Sequence, residues 1–211
     1  MIATSPSFEA LSTYAEAHSK QGDQALVALS AECQSLSSKS CGPIVGRLLT
    51  LLVSTSQSKM CLELGTWLGY SALCIAEGLP SDGRLVTCDS DIRTHACLER
   101  FAQHPKGRQI ELRVQSALSL LDTWTEPLDF VFLDADKANY PLYYERLIPL
   151  IKVGGLLVID NMLWSGAVLN PQHATDRAID TLNKTIVQDA RVDNLLLTIR
   201  DGLQVVRKCS A

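Results

Sequence analysis

Hydrophobic and polar positions follow two different rhythms along this chain. Up to about residue 55, apolar side chains recur every three or four positions, as they do in amphipathic helices. From Met60 onward, short apolar runs of strand length alternate with helical segments. We therefore expect a single domain, residues 1–211, in which a helical appendage (1–55) precedes a body of strands and helices (60–208).

The two rhythms place individual elements along the chain. Pro43 can start a helix, after a polar loop from Ser35 to Gly42. The predicted N-terminal helices cover residues 7–19, 24–36 and 44–53. The predicted strands are 60–64, 84–88, 110–114, 130–133, 156–159, 192–200 and 203–208. The predicted helices between strands cover 71–79, 92–103, 140–151 and 175–188, and a shorter one ends at 121.

This order of elements indicates a fold class. Strands that alternate with helices at such spacing are typical of α/β proteins with a doubly wound, mostly parallel sheet, here of seven strands. The C-terminal end departs from the rhythm, because Asp201-Gly202 between the last two strands is a strong signal for a two-residue hairpin. We expect an antiparallel pair there.

Two predicted strands end abruptly on acidic residues. The run 130–133 ends at Asp134, and the run 156–159 ends at Asp160, which Asn161 follows. Because a carboxylate is costly inside a core, both should emerge at an open strand end. If the strands are parallel neighbours, their oxygens converge. Such ligands suit Mg²⁺, Mn²⁺ or Ca²⁺ and not zinc.

Lys137 and Trp164 complete this candidate site. A vicinal diol that chelates a cation loses a proton more easily, and Lys137 could accept that proton if the cation favoured its neutral form. Trp164 is either a wall for a flat ring or an ordinary half-buried aromatic residue. Taken singly, Asp134 and Lys137 also fit an exposed loop, and Asp160-Asn161 fits a turn.

The first two predicted strands suggest a nucleoside ligand. Gly65 and Gly69 allow a tight turn after Glu63-Leu64, and Asp89 ends the second strand, where an acidic residue can accept hydrogen bonds from a ribose. The spacing of the glycines does not match the G-x-G-x-x-G fingerprint of dinucleotide sites. A plain strand-to-helix turn, with Asp89 capping a helix, remains the alternative.

Composition narrows the candidate partners. The formal net charge is 19 − 23 = −4 and there are no basic runs, so nothing in the overall charge favours nucleic acid or an anionic membrane as a partner. The seven cysteines lack a C-x-x-C pair, which favours reduced thiols used as core residues. Without a signal-like start or an apolar run of roughly 20 residues, the chain is expected to be cytoplasmic.

Several segments together resemble a known family. L-E-L-G-T-W-L-G-Y-S-A-L, V-T-C-D, V-F-L-D-A-D-K-A-N-Y, G-G-L-L-V-I-D-N-M-L-W-S-G-A-V and D-G-L-Q-V-V-R-K are similar to segments of the cation-dependent O-methyltransferases. That group includes the caffeoyl-CoA and catechol enzymes and small bacterial relatives. The similarity extends from about Pro43 to Lys208. It implies a Rossmann-like class I methyltransferase fold, S-adenosylmethionine as donor, a divalent cation and a homodimer.

The resemblance also implies a role for each matching residue. Metal ligands would be Asp134, Asp160 and Asn161. Catalytic residues would be Lys137, as the base, and Asp134, while Lys137 and Trp164 would face the substrate. The cofactor-binding residues would be Glu63, Gly65, Thr66, Trp67, Ser71, Asp89, Ser116, Ala117 and Asp134. Compared with the plant CoA-ester enzymes, the segment 165–174 is short, which argues against a CoA-thioester substrate.

The leading hypothesis is therefore a Mg²⁺-dependent O-methyltransferase acting on a small aromatic vicinal diol. One alternative is a tRNA hydroxyuridine O-methyltransferase, against which the acidic net charge counts. A second is a ligand-binding relative without turnover, and the intact acidic and lysine positions count against it. A NAD-linked oxidoreductase ranks last.

Overall fold

The computed structural model describes residues 7–36 and 40–210. Its α-helices are α1 (Phe8–Ala17), α2 (Gln24–Leu36), α3 (Gly42–Thr55), α4 (Tyr70–Gly78), α5 (Cys97–Gln103), α6 (Ala117–Thr123), α7 (Tyr140–Leu150) and α8 (Ala174–Gln188). Its strands are β1 (Met60–Leu64), β2 (Arg84–Asp89), β3 (Ile110–Val114), β4 (Leu128–Leu133), β5 (Ile151–Ile159), β6 (Val192–Leu197) and β7 (Leu203–Lys208). Short 3-10 helices cover Ile92–Ala96, Gly107–Gln109, Lys137–Asn139 and Trp164–Leu169.

The strands form one seven-stranded sheet in the order β3-β2-β1-β4-β5-β7-β6. The pairs β1–β2, β2–β3, β1–β4 and β4–β5 are parallel, so the winding direction reverses between β1 and β4. β7 runs antiparallel to both β5 and β6. The predicted doubly wound α/β fold is therefore confirmed.

The central strand β4 shows why both faces of the sheet are covered. Phe130 and Phe132 point to one face and pack in the cluster that includes α2, α3 and α4. Val131 and Leu133 point to the other face and pack against α6, α7 and α8. All four side chains are fully buried. A strand that is buried on both faces reads as a continuous apolar run, which is why it could be recognised from sequence.

The N-terminal helices differ in how they attach to this body. α2 buries Leu26, Leu29 and Cys33, and α3 buries five positions against the same face of the sheet. α1 buries no residue. The loop expected from Ser35 to Gly42 lies between α2 and α3, and residues 37–39 of it are outside the described part of the chain.

Two local expectations were wrong. Residues 92–103 are not one α-helix, because the Asp91 side chain accepts a hydrogen bond from Arg93 N–H and starts a 3-10 turn before α5. The last two strands are not joined by a two-residue hairpin. β6 stops at Leu197, and the connection spans residues 198–202, closed by a bond from Gly202 N–H to the Ile199 carbonyl (2.9 Å). This longer loop makes tertiary contacts described below.

The cysteines match the expectation from sequence. All seven are free thiols, and only Cys209 is exposed. Among the helices of the described part of the chain, none has the length and apolar content needed to cross a bilayer.

Gly65, just after β1, lies against the backbone of Asp134, just after β4. Its φ is +106°, and a Cβ at this position would lie 2.1 Å from the carbonyl oxygen of Asp134. That distance is far below van der Waals contact, and the obstructing atom belongs to the backbone. Glycine is therefore required here both by conformation and by space.

We expect Gly65→Ala to lower the free energy of unfolding by roughly 2 to 4 kcal/mol, because the methyl group must displace the Asp134 backbone. Gly154→Ala is the matched control: its φ is +88°, but nothing lies within 4 Å of its Cβ position. It should cost only about 1 kcal/mol. Urea unfolding of both variants measures the difference, and equal losses would contradict the steric explanation.

Candidate active site

Backbone hydrogen bonds bring the carboxyl ends of four strands together. Asp134 N–H donates to the Leu64 carbonyl (2.8 Å), and Asp160 N–H donates to the Leu133 carbonyl (3.0 Å). On the other side, Gly65 N–H donates to the carbonyl of Cys88 (2.8 Å). The residues that follow β1, β2, β4 and β5 thus form one continuous edge. The convergence expected from sequence is present.

A cavity of about 1830 Å³ opens at this edge, and Asp134, Asp160 and Asn161 all line it. Asp160 is only 2% exposed, and its Oδ1 accepts a hydrogen bond from Asn161 N–H (2.8 Å). Asn161 adopts a left-handed φ of 60° directly after β5. Two carboxylates and a carboxamide are therefore presented by neighbouring strand ends.

The electrostatics of this group favour a cation. Burial raises the pKa of Asp134, against the lowering effect of the Lys137 ammonium. Burial also raises the pKa of Asp160, and the negative charge of Asp134 raises it further. Both carboxylates are thus disfavoured in their charged form, and a positive charge between them would relieve this. A hard divalent ion with oxygen ligands fits such a donor set.

Lys137 points into the cavity. Its Nζ lies 2.5 Å from Asp134 Oδ1 and 3.1 Å from the Ala135 carbonyl oxygen, and it stands 5.2 Å from the centre of the Tyr140 ring. The side chain is 15% exposed. The lysine is therefore held beside the acidic pair, which the sequence alone left open.

Trp164 lines the same cavity from a segment that the β6–β7 loop holds in place. Ser165 N–H donates to the Asp201 carboxylate, and Leu163 N–H donates to the Asp201 carbonyl (2.8 Å). The nearby Asp176 carboxylate accepts hydrogen bonds from the N–H groups of His173 and Gln172, which lower its pKa, and Trp164 adds a smaller lowering. Trp164 is half-buried. Asp201 thus holds the backbone on both sides of Trp164.

The predicted donor-binding residues lie along the β1 and β2 ends of the edge. The Asp89 carboxylate accepts hydrogen bonds from the backbone N–H groups of Thr66 (3.1 Å) and Trp67 (2.9 Å). Trp67 has a left-handed φ of 44°, is 41% exposed and also lines the cavity. Asp89 therefore fixes the glycine loop, and its second oxygen accepts from Asp91 N–H.

Ser116 and Ala117 begin the next helix of the body. Ser116 caps α6 by accepting a hydrogen bond from Ser119 N–H (3.1 Å), and Ala117 is the first residue of that helix. Gln115, just before them, donates its N–H to the Asp89 carbonyl (2.9 Å). The start of α6 therefore lies next to the end of β2, where a nucleoside base would extend from a ribose.

Glu63 lies beneath this edge and is completely buried. Burial raises the pKa of its carboxyl to about 8, against the lowering effects of the Ser71 and Thr87 hydroxyl groups. The bond from the Thr87 hydroxyl to Oε2 is 2.5 Å, and Thr66 is bonded to Thr87 in turn (2.6 Å). Glu63 and Ser71 thus support the glycine loop from below and do not line the large cavity.

A separate group of side chains could also hold a metal ion: Asp23, Glu77 and His104. His104 Nε2 lies 3.2 Å from Asp23 Oδ2 and 3.7 Å from Glu77 Oε1. However, His104 Nδ1 accepts a hydrogen bond from Lys106 N–H (3.2 Å), which leaves the ring proton on Nε2. A protonated Nε2 binds no metal, and in the described part of the chain this buried atom has no hydrogen-bond partner, so we do not assign the group a metal-binding role.

Two contributors to the cavity were not identified from sequence. One is the inner side of α1, and the other is Arg200, whose guanidinium donates to the Ser40 carbonyl (2.9 Å) and whose charge lowers the pKa of Asp160. The amphipathic period of α1 was visible, but not the surface that it faces. No sequence pattern marked Arg200 as a cavity residue, because its position depends on the length of the β6–β7 loop, which was not expected.

The doubly wound sheet with its antiparallel β7, together with an acidic residue at the end of β2, defines a Rossmann-like methyltransferase fold. A family model described as O-methyltransferase matches residues 16–209. The chain belongs to this family.

Individual relatives agree with that assignment. A caffeoyl-CoA O-methyltransferase of Petroselinum crispum is 35% identical over 180 residues, which cover 78% of this chain and 75% of that protein. The catechol O-methyltransferase domain-containing protein 1 of Mus musculus is 39% identical over 170 residues, covering 77% and 65%. The crystal structure of the O-methyltransferase TomG of Streptomyces achromogenes, in complex with SAM, has a TM-score of 0.84 at 26% identity, covering 95% and 96%.

The buried Glu63 should make stability depend on pH. Because its pKa is about 8 in the folded chain and near 4.5 when unfolded, the folded state binds the extra proton between these values. The stability that the protonated Glu63 carboxyl contributes to the folded state is fully present below the unfolded pKa. It is lost as pH rises to about 8. Relative to Glu63→Gln, the wild type should therefore lose stability by about 1.4 kcal/mol per pH unit across this window.

Urea unfolding at several values between pH 5.5 and 9 measures this difference. Glu99→Gln, a change at an exposed site on α5, is the control and should follow the wild type. Parallel curves for the wild type and Glu63→Gln would show that the carboxyl titrates alike in both states.

Proposed function

We propose that this chain is a divalent-cation-dependent O-methyltransferase that moves a methyl group from S-adenosylmethionine to one hydroxyl of a small aromatic vicinal diol. The observation that carries the proposal is the meeting of Asp134, Lys137, Asp160 and Asn161 in one cavity at the carboxyl edge of the sheet. Membership of the O-methyltransferase family supports the reaction type.

Asp134, Asp160 and Asn161 would hold the cation, since they are the oxygen donors that neighbouring strands present to the cavity. When bound, a divalent ion stabilises the oxyanion of a chelating hydroxyl group. A vicinal diol offers two such oxygens in chelating geometry, which a single phenol does not. This preference for adjacent hydroxyls is the reason for choosing a catechol-like acceptor.

Lys137 would take the proton that the acceptor hydroxyl loses. Its Nζ pairs with Asp134 Oδ1 at 2.5 Å. A cation bound to Asp134 would compete for this carboxylate and release the lysine toward the acceptor. The lysine would then stand beside the acceptor as a base, held over Tyr140.

The donor would occupy the β1 and β2 side of the edge. Asp89 would accept hydrogen bonds from the ribose, and Ser116 and Ala117 would lie near the adenine. Gly65 would let the loop pass close to the donor. The O-methyltransferase TomG, which has the same fold, is solved in complex with SAM, and this supports SAM as the donor. Trp164 would flank the acceptor ring, so that the hydroxyl faces the methyl group. The rate gain would come from positioning and from charge stabilisation.

Incubation of the purified protein with labelled S-adenosylmethionine and a panel of catechols tests the proposal. We expect methyl transfer to vicinal diols in the presence of Mg²⁺ or Mn²⁺, loss of transfer with a chelator, and recovery when the ion is restored. The matched monophenols should react at least a hundredfold more slowly, since they cannot chelate. Failure to methylate any diol with any divalent ion would exclude the function.

Asp160→Ala separates the acceptor side from the donor side. We expect it to lower kcat at least a thousandfold, because it removes a buried cation ligand, while donor affinity measured by calorimetry changes less than about threefold. Asp193→Ala, an exposed site on β6, is the control and should retain full activity. Equal loss of donor binding and turnover in Asp160→Ala would contradict this division of the site.

A further inference from the structure

The cavity at the strand ends is larger than a catechol needs. Small-molecule pockets commonly measure about 300 to 1,000 Å³, and this one measures about 1830 Å³. Part of its wall is formed by α1, together with Leu36, Ser40 and Ile44. An acceptor seated on Asp134 and Asp160 therefore has room for a substituent that extends toward α1.

The side of α1 that lines the cavity is partly apolar. Phe8, Leu11 and Ala15 line it, and Phe8 and Leu11 remain 59% and 54% exposed. Tyr14 does not line it, because its ring stacks on His18 at 3.9 Å. α1 contacts α3 but buries no residue, so Phe8 and Leu11 remain largely uncovered in the described part of the chain. It is continuous with the acceptor site, and an apolar substituent would cover it.

Two carboxylates lie among these apolar residues. Glu9 and Glu16 both line the cavity from α1, and within the described residues neither carboxylate forms an ion pair. The other titratable groups on the described part of the cavity wall are Asp134, Asp136, Asp160, Asp201, Lys137 and Arg200. Counted formally over the described residues, six acidic and two basic side chains give a charge of −4, which stays negative when a divalent cation is added.

We propose that the inner side of α1 selects the acceptor by charge: it admits catechols whose apolar substituent ends in a neutral or cationic group, and it rejects anionic ones such as carboxylates and CoA thioesters. This rests on the proposed function and names its substrate class. Glu9 and Glu16 act on the far end of the acceptor, away from the reacting hydroxyl. They determine specificity without taking part in the chemistry.

The test uses three catechols with the same alkyl chain, ending in an ammonium, a hydroxyl or a carboxylate group. For the wild type, kcat/KM should be about three- to tenfold higher for the ammonium than for the carboxylate compound, and the difference should shrink in 0.5 M salt. Calorimetric binding of the same compounds, with Mg²⁺ and S-adenosylhomocysteine present, should give the same order. This second readout does not depend on turnover.

Variants assign the selectivity to α1. The double variant Glu9→Gln/Glu16→Gln should remove most of the preference, and Glu9→Lys/Glu16→Lys should reverse it, with the hydroxyl compound changed less than about twofold in both. Glu99→Gln/Asp193→Asn, which alters two exposed carboxylates outside the cavity, should keep the wild-type order. Both sites on α1 are on a helix without buried residues, so folding should be unaffected.

The outcomes separate the two proposals. If the wild type fails to methylate even the hydroxyl-ended catechol with any divalent ion, the proposed function is wrong and this inference falls with it. If that compound is methylated but the carboxylate compound is preferred, or the Lys variant keeps the wild-type order, only the selection by α1 is overturned.

Discussion

The close approach of two backbones at the reversal point of the sheet determines where every other part of the site lies. Gly65 leaves β1 so near the Asp134 carbonyl that no side chain fits between them. This contact places the glycine loop, which Asp89 then fixes through two backbone amides, directly beside the acidic end of β4. A donor bound at the loop and an acceptor bound at the carboxylates would therefore be neighbours by construction of the sheet, before any side chain adjusts.

The same edge concentrates negative charge at a cost to stability. Glu63, Asp134 and Asp160 are ionisable groups in largely buried positions, and burial raises the pKa of each. Such groups weaken a fold unless they are protonated, hydrogen-bonded or paired. In the described part of the chain, Glu63 Oε2 is bonded to Thr87 while Oε1 has no hydrogen-bond partner. Asp134 is paired with Lys137, whereas Asp160 has a backbone N–H and more distant charges. In the proposed enzyme, a cation bound between Asp134 and Asp160 would offset part of this cost.

The proposed acceptor side is assembled from parts that are far apart in sequence. The β6–β7 loop holds the Trp164 segment through Asp201, while Arg200 in the same loop reaches back to Ser40, just before α3. α1 adds the remaining wall without packing into the core. The donor side, by contrast, is made of short strand-to-helix connections. In the proposed enzyme, donor recognition would be rigid and acceptor recognition would be set by peripheral segments, which are free to vary without disturbing the sheet.

The sequence by itself determined the order of strands and helices along the chain, the doubly wound sheet and the acidic strand ends. Apolar runs buried on both faces, and polar residues that end them, are local patterns. The sequence did not predict that residues 198–202 form the connection between β6 and β7, or which surface α1 faces. The Asp201-Gly202 pair favours a tight hairpin, but contacts of Asp201 and Arg200 with distant backbone produced a longer loop. Lys137 likewise points into the cavity because folding places Asp134 and Tyr140 next to its side chain. Local patterns determine which elements form. Contacts between distant segments exist only once the chain has folded, and those contacts decided the shape and charge of the proposed acceptor cavity.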